Sequence, residues 1–124
     1  MTARILVVED NPLNLKLVRD VLGAAGFDVV SASTGEEGLR IAAELPPDLV
    51  LMDLQLPGID GAETMRRLRR DTLDPSIPVV AVTASAMPED RARAELAGFD
   101  AYVEKPISIR NLVREVRSFL DGDH

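Results

Sequence analysis

The sequence predicts a doubly wound α/β domain, in which a five-stranded parallel sheet carries five helices on its two faces. Five short apolar runs alternate with five segments of helical periodicity along the whole chain. The runs are apolar without alternation, as is typical of parallel strands covered on both faces. The length of 124 residues fits one ordinary domain. We therefore interpret residues 1–124 as a single domain.

Five apolar runs predict the strands, because each is short, rich in branched residues and bounded by turn or cap residues. The second run is weaker and more polar than the others. The predicted strands span residues 5–8, 28–32, 49–52, 78–82 and 101–103.

Start and stop signals for helices lie between these strands. Asn11 can cap the first helix, with Pro12 in its first turn, and Gly26 can end it. Thr34 and Glu37 have the spacing of a capping box for the second helix. The other helices are expected over residues 60–70, from Pro88 to Gly98, and after Ser108 as cap.

Composition excludes several classes of site and partner. The chain has no cysteine, and its one histidine is the last residue, His124. Disulfides, thiolate metal sites and histidine catalysis are therefore excluded. A net charge of −7 argues against nucleic acid, and we interpret the basic run at residues 66–70 as a solvated helix face. Without a membrane-length apolar run or a signal peptide, we expect a cytoplasmic protein with no membrane partner.

The residues that follow the strands carry most of the chemistry. With five strands, the common doubly wound order is 2-1-3-4-5, and ligands bind beyond the carboxyl ends of the strands, next to the switch point between the first and third. Glu9 and Asp10 follow the first strand, Asp53 the third, Thr83 ends the fourth, and Lys105 follows the fifth. We expect these side chains to meet at one rim of the sheet.

Each of these residues alone has a simpler interpretation. Glu9 and Asp10 could be the polar end of a strand, Asp53 a turn residue, Thr83 a strand residue and Lys105 a surface charge. Together they are harder to explain in this way, because clustered carboxylates repel one another and raise each other's pKa unless a cation is present. Oxygen ligands favour a hard divalent ion, so we expect Mg²⁺.

The same set of groups suits phosphoryl transfer, which needs mainly positioning and charge neutralisation from the protein. Asp53 would attack the phosphorus and form an aspartyl phosphate. Mg²⁺ would bridge the carboxylate and one phosphoryl oxygen, Lys105 would pair with a second, and Thr83 would donate a hydrogen bond to the third. We therefore expect Asp53, Thr83 and Lys105 to be the catalytic residues.

Four segments resemble the signature segments of response-regulator receiver domains, the CheY-like family with a flavodoxin-like fold. These segments are residues 5–11, 51–61, 80–84 and 102–106, and the resemblance covers essentially the whole chain. Residues 9–14 and 83–87 are most similar to single-domain regulators of the DivK type. Receivers of hybrid histidine kinases share these two stretches, so that alternative stays open.

The resemblance implies a role for each matched residue. Asp53 is then the phosphoacceptor, and Glu9 and Asp10 hold Mg²⁺ together with the backbone carbonyl of Gln55. Thr83 and Tyr102 are implied to be the switch residues, whereas Lys105 pairs with the phosphoryl group. The residues implied to tune dephosphorylation are Gln55 and Ser85, and their identity predicts slow self-dephosphorylation.

The resemblance also implies protein partners. These are a sensor histidine kinase or a histidine phosphotransfer protein, and a downstream protein target. Our hypothesis is that this target reads the fourth helix, fifth strand and fifth helix, because Tyr102 and Lys105 connect directly to that surface. The chain is expected to be a monomer or a weak dimer. Leu13, Leu15 and Leu17 in the first helix are interpreted as a docking patch for the helical bundle of the phosphodonor, or as ordinary surface leucines.

Other functions remain to be weighed against a phosphorylated receiver. A Mg²⁺-dependent aspartyl-phosphate phosphohydrolase of the haloacid-dehalogenase type would need its nucleophile after the first strand and a second aspartate two residues later, where this chain has Asp10 followed by Asn11 and Pro12. A flavin carrier would need a phosphate loop rich in Ser, Thr and Gly after that strand and a tryptophan to stack on the ring, and the chain has neither. A receiver that is never phosphorylated is the remaining alternative.

Overall fold

A computed structural model of the protein describes residues 2–71, 76–84, 87–105 and 108–121, in which five strands alternate with five helices. Within these ranges every helix is too short or too polar to cross a membrane. The elements in chain order are β1 (Arg4–Val8), α1 (Pro12–Ala24), β2 (Asp28–Ala32), α2 (Gly35–Glu44), β3 (Leu49–Asp53), α3 (Gly61–Asp71), β4 (Val79–Thr83), α4 (Pro88–Ala97), β5 (Ala101–Glu104) and α5 (Ile109–Leu120).

The five strands form one parallel sheet in the order β2-β1-β3-β4-β5, which confirms the predicted topology. Val8 at the end of β1 lies opposite Met52 in β3, and the last residue of β3, Asp53, lies opposite Val82 in β4. Thr83 lies opposite Glu104. This register brings the carboxyl ends of four strands to one edge of the sheet.

Two apolar clusters cover the two faces of the sheet. On one face, Leu6 and Val8 pack with α2, α3 and α4, and Met65 of α3 is fully buried there. On the other face, Ile5 and Val7 pack with α1 and α5. Because neighbouring residues of each strand enter opposite clusters, the inner strands have to be apolar at every position.

The predicted helix starts are largely confirmed. The Asn11 side chain accepts hydrogen bonds from the N–H groups of the second and third residues of α1, Leu13 and Asn14, at 3.0 and 3.1 Å. Thr34 Oγ1 accepts from the Glu37 N–H at 3.1 Å, and the Glu37 carboxylate reaches back to the N–H of Ser33. Ser108 is the N-cap residue of α5, as predicted, and its carbonyl accepts from the N–H of Leu112 at 2.9 Å, but within the described part of the chain its hydroxyl makes no capping hydrogen bond.

The basic run at residues 66–70 lies along α3, and its guanidinium groups pair with carboxylates of the same chain. The nitrogen–oxygen distances are 2.7 to 3.1 Å. Three of these ion pairs are within α3, and the fourth joins α3 to the turn before β5. The pairs are Arg66–Glu63, Arg67–Glu63, Arg70–Asp71 and Arg69–Asp100. The interpretation as a solvated helix face holds for Arg66 and Arg70, which are exposed, whereas the Arg69 side chain is only 21% exposed.

Candidate phosphoacceptor site

Five polar side chains lie at the carboxyl edge of the sheet, where the sequence predicts them. Glu9 and Asp10 follow β1, and Asp53 and Thr83 are the last residues of β3 and β4. Lys105 follows β5 directly, and its N–H donates to the carbonyl of Thr83 at 2.7 Å. The parallel topology is therefore sufficient to bring these five residues together.

Two carboxylates of this rim are buried. Glu9 is 6% exposed and Asp53 is 5% exposed, whereas Asp10 is open to solvent. Thr83 is buried as well, at 1%. A buried carboxylate is costly unless charged or hydrogen-bonding partners compensate for the lost water. The partners of Glu9 and Asp53 therefore decide what the site can do.

Lys105 supplies the compensating charge. Its Nζ atom lies 2.7 Å from Oε1 of Glu9 and 2.9 Å from Oδ2 of Asp53, so one ammonium bridges both buried carboxylates. The lysine side chain is itself largely buried, with 18% of it exposed. In this protected position an ion pair is screened less by salt than it would be on the surface.

Backbone groups hold the remaining oxygens of the two buried carboxylates. The N–H of Gln55 donates to Oδ1 of Asp53 at 2.9 Å, and the N–H of Asn11 donates to Oε2 of Glu9 at 3.2 Å. Both donors lie in the loops that leave the strand ends. The loop conformations therefore set the orientation of the two carboxylates.

The rim shifts the pKa values of its charged groups. Burial raises the pKa of Glu9 above its ordinary value; the hydrogen bond with Lys105 opposes this effect, and the neighbouring Asp53 adds to it. Burial disfavours the ammonium of Lys105, but its bonds to Glu9 and Asp53 outweigh burial and raise its pKa. Lys105 is therefore charged at neutral pH.

The three rim carboxylates fit a divalent cation. Glu9, Asp10 and Asp53 each offer one oxygen, and these oxygens lie within 4.8 Å of one another. All the donors are hard oxygens, and the partly exposed position leaves room for the water ligands that Mg²⁺ retains. The donor set therefore matches Mg²⁺ better than a softer metal. The carbonyl of Gln55 as a further ligand stays a prediction.

A cavity of about 150 Å³ adjoins the rim on the side of α4. Thr83, Gln55, Asp60, Asp90 and Arg93 are among the residues that line it. The buried hydroxyl residue at the end of β4 therefore borders a space into which groups near Asp53 can extend.

Tyr102 lies in β5 on the side of the sheet that α4 covers. It is partly buried against the apolar cluster beneath α2, α3 and α4. The guanidinium of Arg91 in α4 lies 4.8 Å from the centre of the tyrosine ring, within the range of a cation–π contact. The ring therefore links β5 to α4.

The predicted leucine patch on α1 is divided between surface and core. Leu13 is 78% exposed and Leu17 is 42% exposed, whereas Leu15 is partly buried and packs against the cluster beneath α1 and α5. An exposed docking surface on α1 can therefore include Leu13 and Leu17 but not Leu15. Ser85, predicted to tune dephosphorylation, lies outside the described residues.

Two features of the rim were not predicted from the sequence. One is the backbone N–H of Asn11, which holds Glu9, although the residue itself was expected to cap α1. The other is Gly61, which packs against the backbone of Asp53. The sequence gives no signal for this contact, because it depends on how α3 enters against β3.

Comparison with known families agrees with this arrangement of fold and site. The family model described as the response regulator receiver domain matches residues 5–117. The chain therefore belongs to the response-regulator receiver family, whose members act in two-component signal transduction. This assignment confirms the resemblance and makes the protein a signalling domain rather than a classical enzyme or flavin carrier.

Within the family, the chain is similar along almost its whole length to DivK-type response regulators. It is 44% identical over 123 residues to the polar-differentiation response regulator DivK of Brucella ovis, and the match covers 99% of both chains. The corresponding protein of Brucella anthropi is 43% identical over 123 residues, again with 99% of both chains covered. The predicted similarity to DivK-type regulators is confirmed.

Solved structures show the same fold. A CheY-like receiver domain protein from Methanospirillum hungatei superposes with a TM-score of 0.91 at 31% identity, covering 99% of this chain and 97% of the other. The receiver domain of a sensor histidine kinase from Pseudomonas aeruginosa has a TM-score of 0.88 at 31% identity, with 98% and 99% covered. That crystal structure has a magnesium ion coordinated in its active site cleft.

Proposed function

We propose that the protein accepts a phosphoryl group on Asp53 from a histidine kinase or a histidine phosphotransfer protein, with the help of Mg²⁺. The observation that carries this proposal is the ammonium of Lys105 between Glu9 and Asp53, at 2.7 and 2.9 Å. Lys105 can exchange Oδ2 of Asp53 for a phosphoryl oxygen without losing its position, because Glu9 continues to hold it. Negative charge that develops on the phosphoryl group then meets a fixed cation.

Asp53 is suited to the role of nucleophile. Its carboxylate is buried but lies at the edge of the sheet, and the Gln55 N–H fixes one of its oxygens. Orientation of this kind lowers the entropic part of a barrier because the attacking group is already in place. The Asp53 carboxylate forms a bond to phosphorus, and the bond from phosphorus to the donor group breaks.

Glu9, Asp10 and Asp53 would hold Mg²⁺, with the carbonyl of Gln55 as a further ligand. When bound, the ion neutralises the acidic rim and polarises a phosphoryl oxygen. Thr83 would donate its hydroxyl to another phosphoryl oxygen. Its place in the wall of the cavity beside α4 supports this role.

Phosphorylation would be read through the surface of α4, β5 and α5. A phosphoryl group adds close to two negative charges and recruits Thr83 and Lys105, which favours one of two existing conformations. Tyr102 supports this readout, since its ring contacts Arg91 of α4 from β5. A downstream protein would bind the conformation that the phosphoryl group stabilises.

Leu13 and Leu17 support a docking surface for the phosphodonor on α1, because both are exposed on the helix that begins beside the rim. The receiver of a hybrid histidine kinase remains a second setting for the same chemistry, since one similar structure belongs to a sensor histidine kinase.

A cytoplasmic location, the lack of a nucleic-acid partner and a monomeric or weakly dimeric state stay predictions.

Intact mass measurement tests the proposed chemistry. The protein is incubated with Mg²⁺ and acetyl phosphate, beside Asp53→Asn as the site variant and Asp48→Asn as a carboxylate control at the opposite edge of the sheet. We expect one added phosphoryl group in the wild type and in Asp48→Asn, and none in Asp53→Asn or without Mg²⁺. Equal phosphorylation of Asp53→Asn would overturn the assignment of the phosphoacceptor.

A further inference from the structure

Gly61, the first residue of α3, lies unusually close to the backbone of the strand that ends in Asp53. A Cβ atom built on Gly61 would lie 2.5 Å from the carbonyl oxygen of Asp53 and 2.8 Å from Cα of Leu54. Both atoms belong to the main chain, so no rotation of a side chain could relieve the overlap. The Gly61 N–H also donates to the carbonyl of Leu54, at 3.2 Å.

The backbone against which Gly61 packs is the part that orients the phosphoacceptor. Gln55, one residue beyond Leu54, donates its N–H to the Asp53 carboxylate at 2.9 Å. On its other side, the Leu54 N–H donates to the carbonyl of Val82 in β4 at 3.1 Å. Residues 53–55 are therefore held between β4 and the start of α3. A displacement of either element would move the Asp53 carboxylate.

The overlap could also be relieved if the start of α3 moved away from residues 53–55, but two hydrogen bonds hold the start of this helix in place. Asp60 caps it, because its Oδ1 accepts from the N–H of Glu63 at 2.8 Å. The hydroxyl of Thr64, which is fully buried, donates to the carbonyl of Asp60 at 2.8 Å. A Cβ atom on Gly61 would therefore shift residues 53–55 more readily than the helix.

We propose that Gly61 is a positioning residue for the phosphoacceptor site, whose missing side chain lets α3 fix the backbone that orients Asp53 and Gln55. The inference rests on the proposed function, because it concerns Mg²⁺ binding and phosphorylation at that site. In Gly61→Ala, we expect Mg²⁺ to bind about 10- to 100-fold more weakly, as when groups behind metal ligands are altered. Phosphorylation at saturating Mg²⁺ should fall by up to about 100-fold, the cost of a misplacement near 1 Å.

Gly38 in α2 offers a matched glycine-to-alanine control. A Cβ atom there would lie 3.0 Å from Cγ2 of Val8, and the other atoms within 4 Å also belong to side chains. Gly38→Ala therefore strains the core without pressing on the loop after β3. Gly23→Ala is a control without steric strain, because apart from its own stretch of α1 no atom lies within 4 Å of the added Cβ, and it should raise rather than lower the unfolding temperature.

The experiment compares the three variants with the full-length wild type by thermal unfolding, by calorimetric titration with MgCl₂ and by the NMR shift of the Gln55 amide without metal. We expect Gly61→Ala to weaken Mg²⁺ binding and to shift the Gln55 resonance, whereas Gly38→Ala lowers the unfolding temperature and leaves both unchanged. A wild-type Mg²⁺ affinity in Gly61→Ala, at any unfolding temperature, would overturn the proposal.

A second pair of variants covers the case in which Gly61→Ala does not fold. Asp60→Asn keeps a capping side chain at the start of α3 and Asp60→Ala removes it, and neither variant adds an atom near Asp53. We expect Asp60→Ala to bind Mg²⁺ more weakly than Asp60→Asn, and equal affinities would overturn the proposal. If the wild type binds no Mg²⁺ and takes up no phosphoryl group, the proposed function fails rather than the role of Gly61 alone.

Discussion

Lys105 and Glu9 form a largely buried ion pair, with 2.7 Å between Nζ and Oε1, that lies beside the carboxylate of Asp53. The same ammonium also bonds to Asp53 at 2.9 Å. Glu9 thus anchors the ammonium of Lys105 independently of Asp53. The pair makes this positive charge part of the folded structure, and under the proposed function the ammonium would stay in place while Asp53 reacts.

Replacement of Lys105 by methionine should destabilise the metal-free protein. Removing one partner of a buried ion pair leaves an uncompensated charge, which costs about 3–5 kcal/mol of unfolding free energy. Addition of Mg²⁺ should restore part of this loss because the cation replaces the missing ammonium. Urea unfolding with and without Mg²⁺ measures both effects, and Lys16→Met, whose exposed pair with Asp20 lies on α1, is the control. An unchanged midpoint in Lys105→Met would contradict the prediction.

The raised pKa of Glu9 predicts a dependence of stability on pH. The folded protein binds the Glu9 proton more tightly than the unfolded chain, so this group contributes stability that is complete below its ordinary pKa of 4.5 and is lost as pH rises through the raised value. The unfolding free energy of the metal-free wild type, relative to Glu9→Gln, should therefore fall over this range. Mg²⁺ should reverse the trend, since the ion binds the deprotonated carboxylate. Parallel pH profiles for the two proteins would show that Glu9 is not responsible.

The strand order and the polar residues of the rim could be predicted from the sequence, because the carboxyl ends of parallel strands all lie at the same edge of the sheet. Asp53 lies at the end of the third apolar run and Lys105 comes after the fifth. The 2-1-3-4-5 order then fixes which strand ends are neighbours. The residue types then imply the charge pairing. The 2.5 Å approach of a Gly61 Cβ to the Asp53 backbone could not be predicted, since it depends on how α3 enters against β3.

The division of the leucines on α1 shows how a spacing can mislead. Leu13, Leu15 and Leu17 are spaced two residues apart. Side chains with this spacing lie on one face of a strand but on opposite faces of a helix. With about 3.6 residues per turn, Leu13 and Leu17 share one face and Leu15 lies nearly opposite. Leu15 instead shares the buried face with Val18 and Leu22. Helical periodicity applied to the three leucines would have separated them.

Charged substitutions on the exposed face of α1 should impair transfer from a protein phosphodonor. Leu13→Glu and Leu17→Glu place charge on the proposed docking surface, whereas acetyl phosphate does not need that surface. We expect transfer from any histidine kinase that phosphorylates the wild type to slow at least about tenfold, the effect of 1.4 kcal/mol. Leu96→Glu in α4 is the matched control, because that leucine is 89% exposed on another face. Unchanged transfer in both α1 variants would reject the docking surface.

The phosphorylated protein should lose its phosphoryl group slowly, over minutes or longer. Gln55 is exposed, and its backbone N–H donates to Asp53, but among the described residues no hydrogen bond holds its side-chain amide in position against an attacking water. The decay of the phosphorylated mass after removal of the donor gives the lifetime directly. A half-life of seconds would contradict this prediction, and comparison with Gln55→Ala would then show whether this side chain accelerates the loss.

Tyr102 provides an intrinsic probe of the switch, because the chain has one tyrosine and no tryptophan. Its fluorescence should change on phosphorylation, since the proposed movement of Thr83 toward the phosphoryl group alters the contact of the ring with Arg91. Thr83→Ala should still accept phosphate at a reduced rate, but the fluorescence change should be lost. Tyr102→Ala should keep phosphorylation and lose the response of the downstream partner. If Thr83→Ala gives the full wild-type fluorescence change at equal phosphorylation, the coupling between Thr83 and Tyr102 is absent and the readout has to reach α4 by another route.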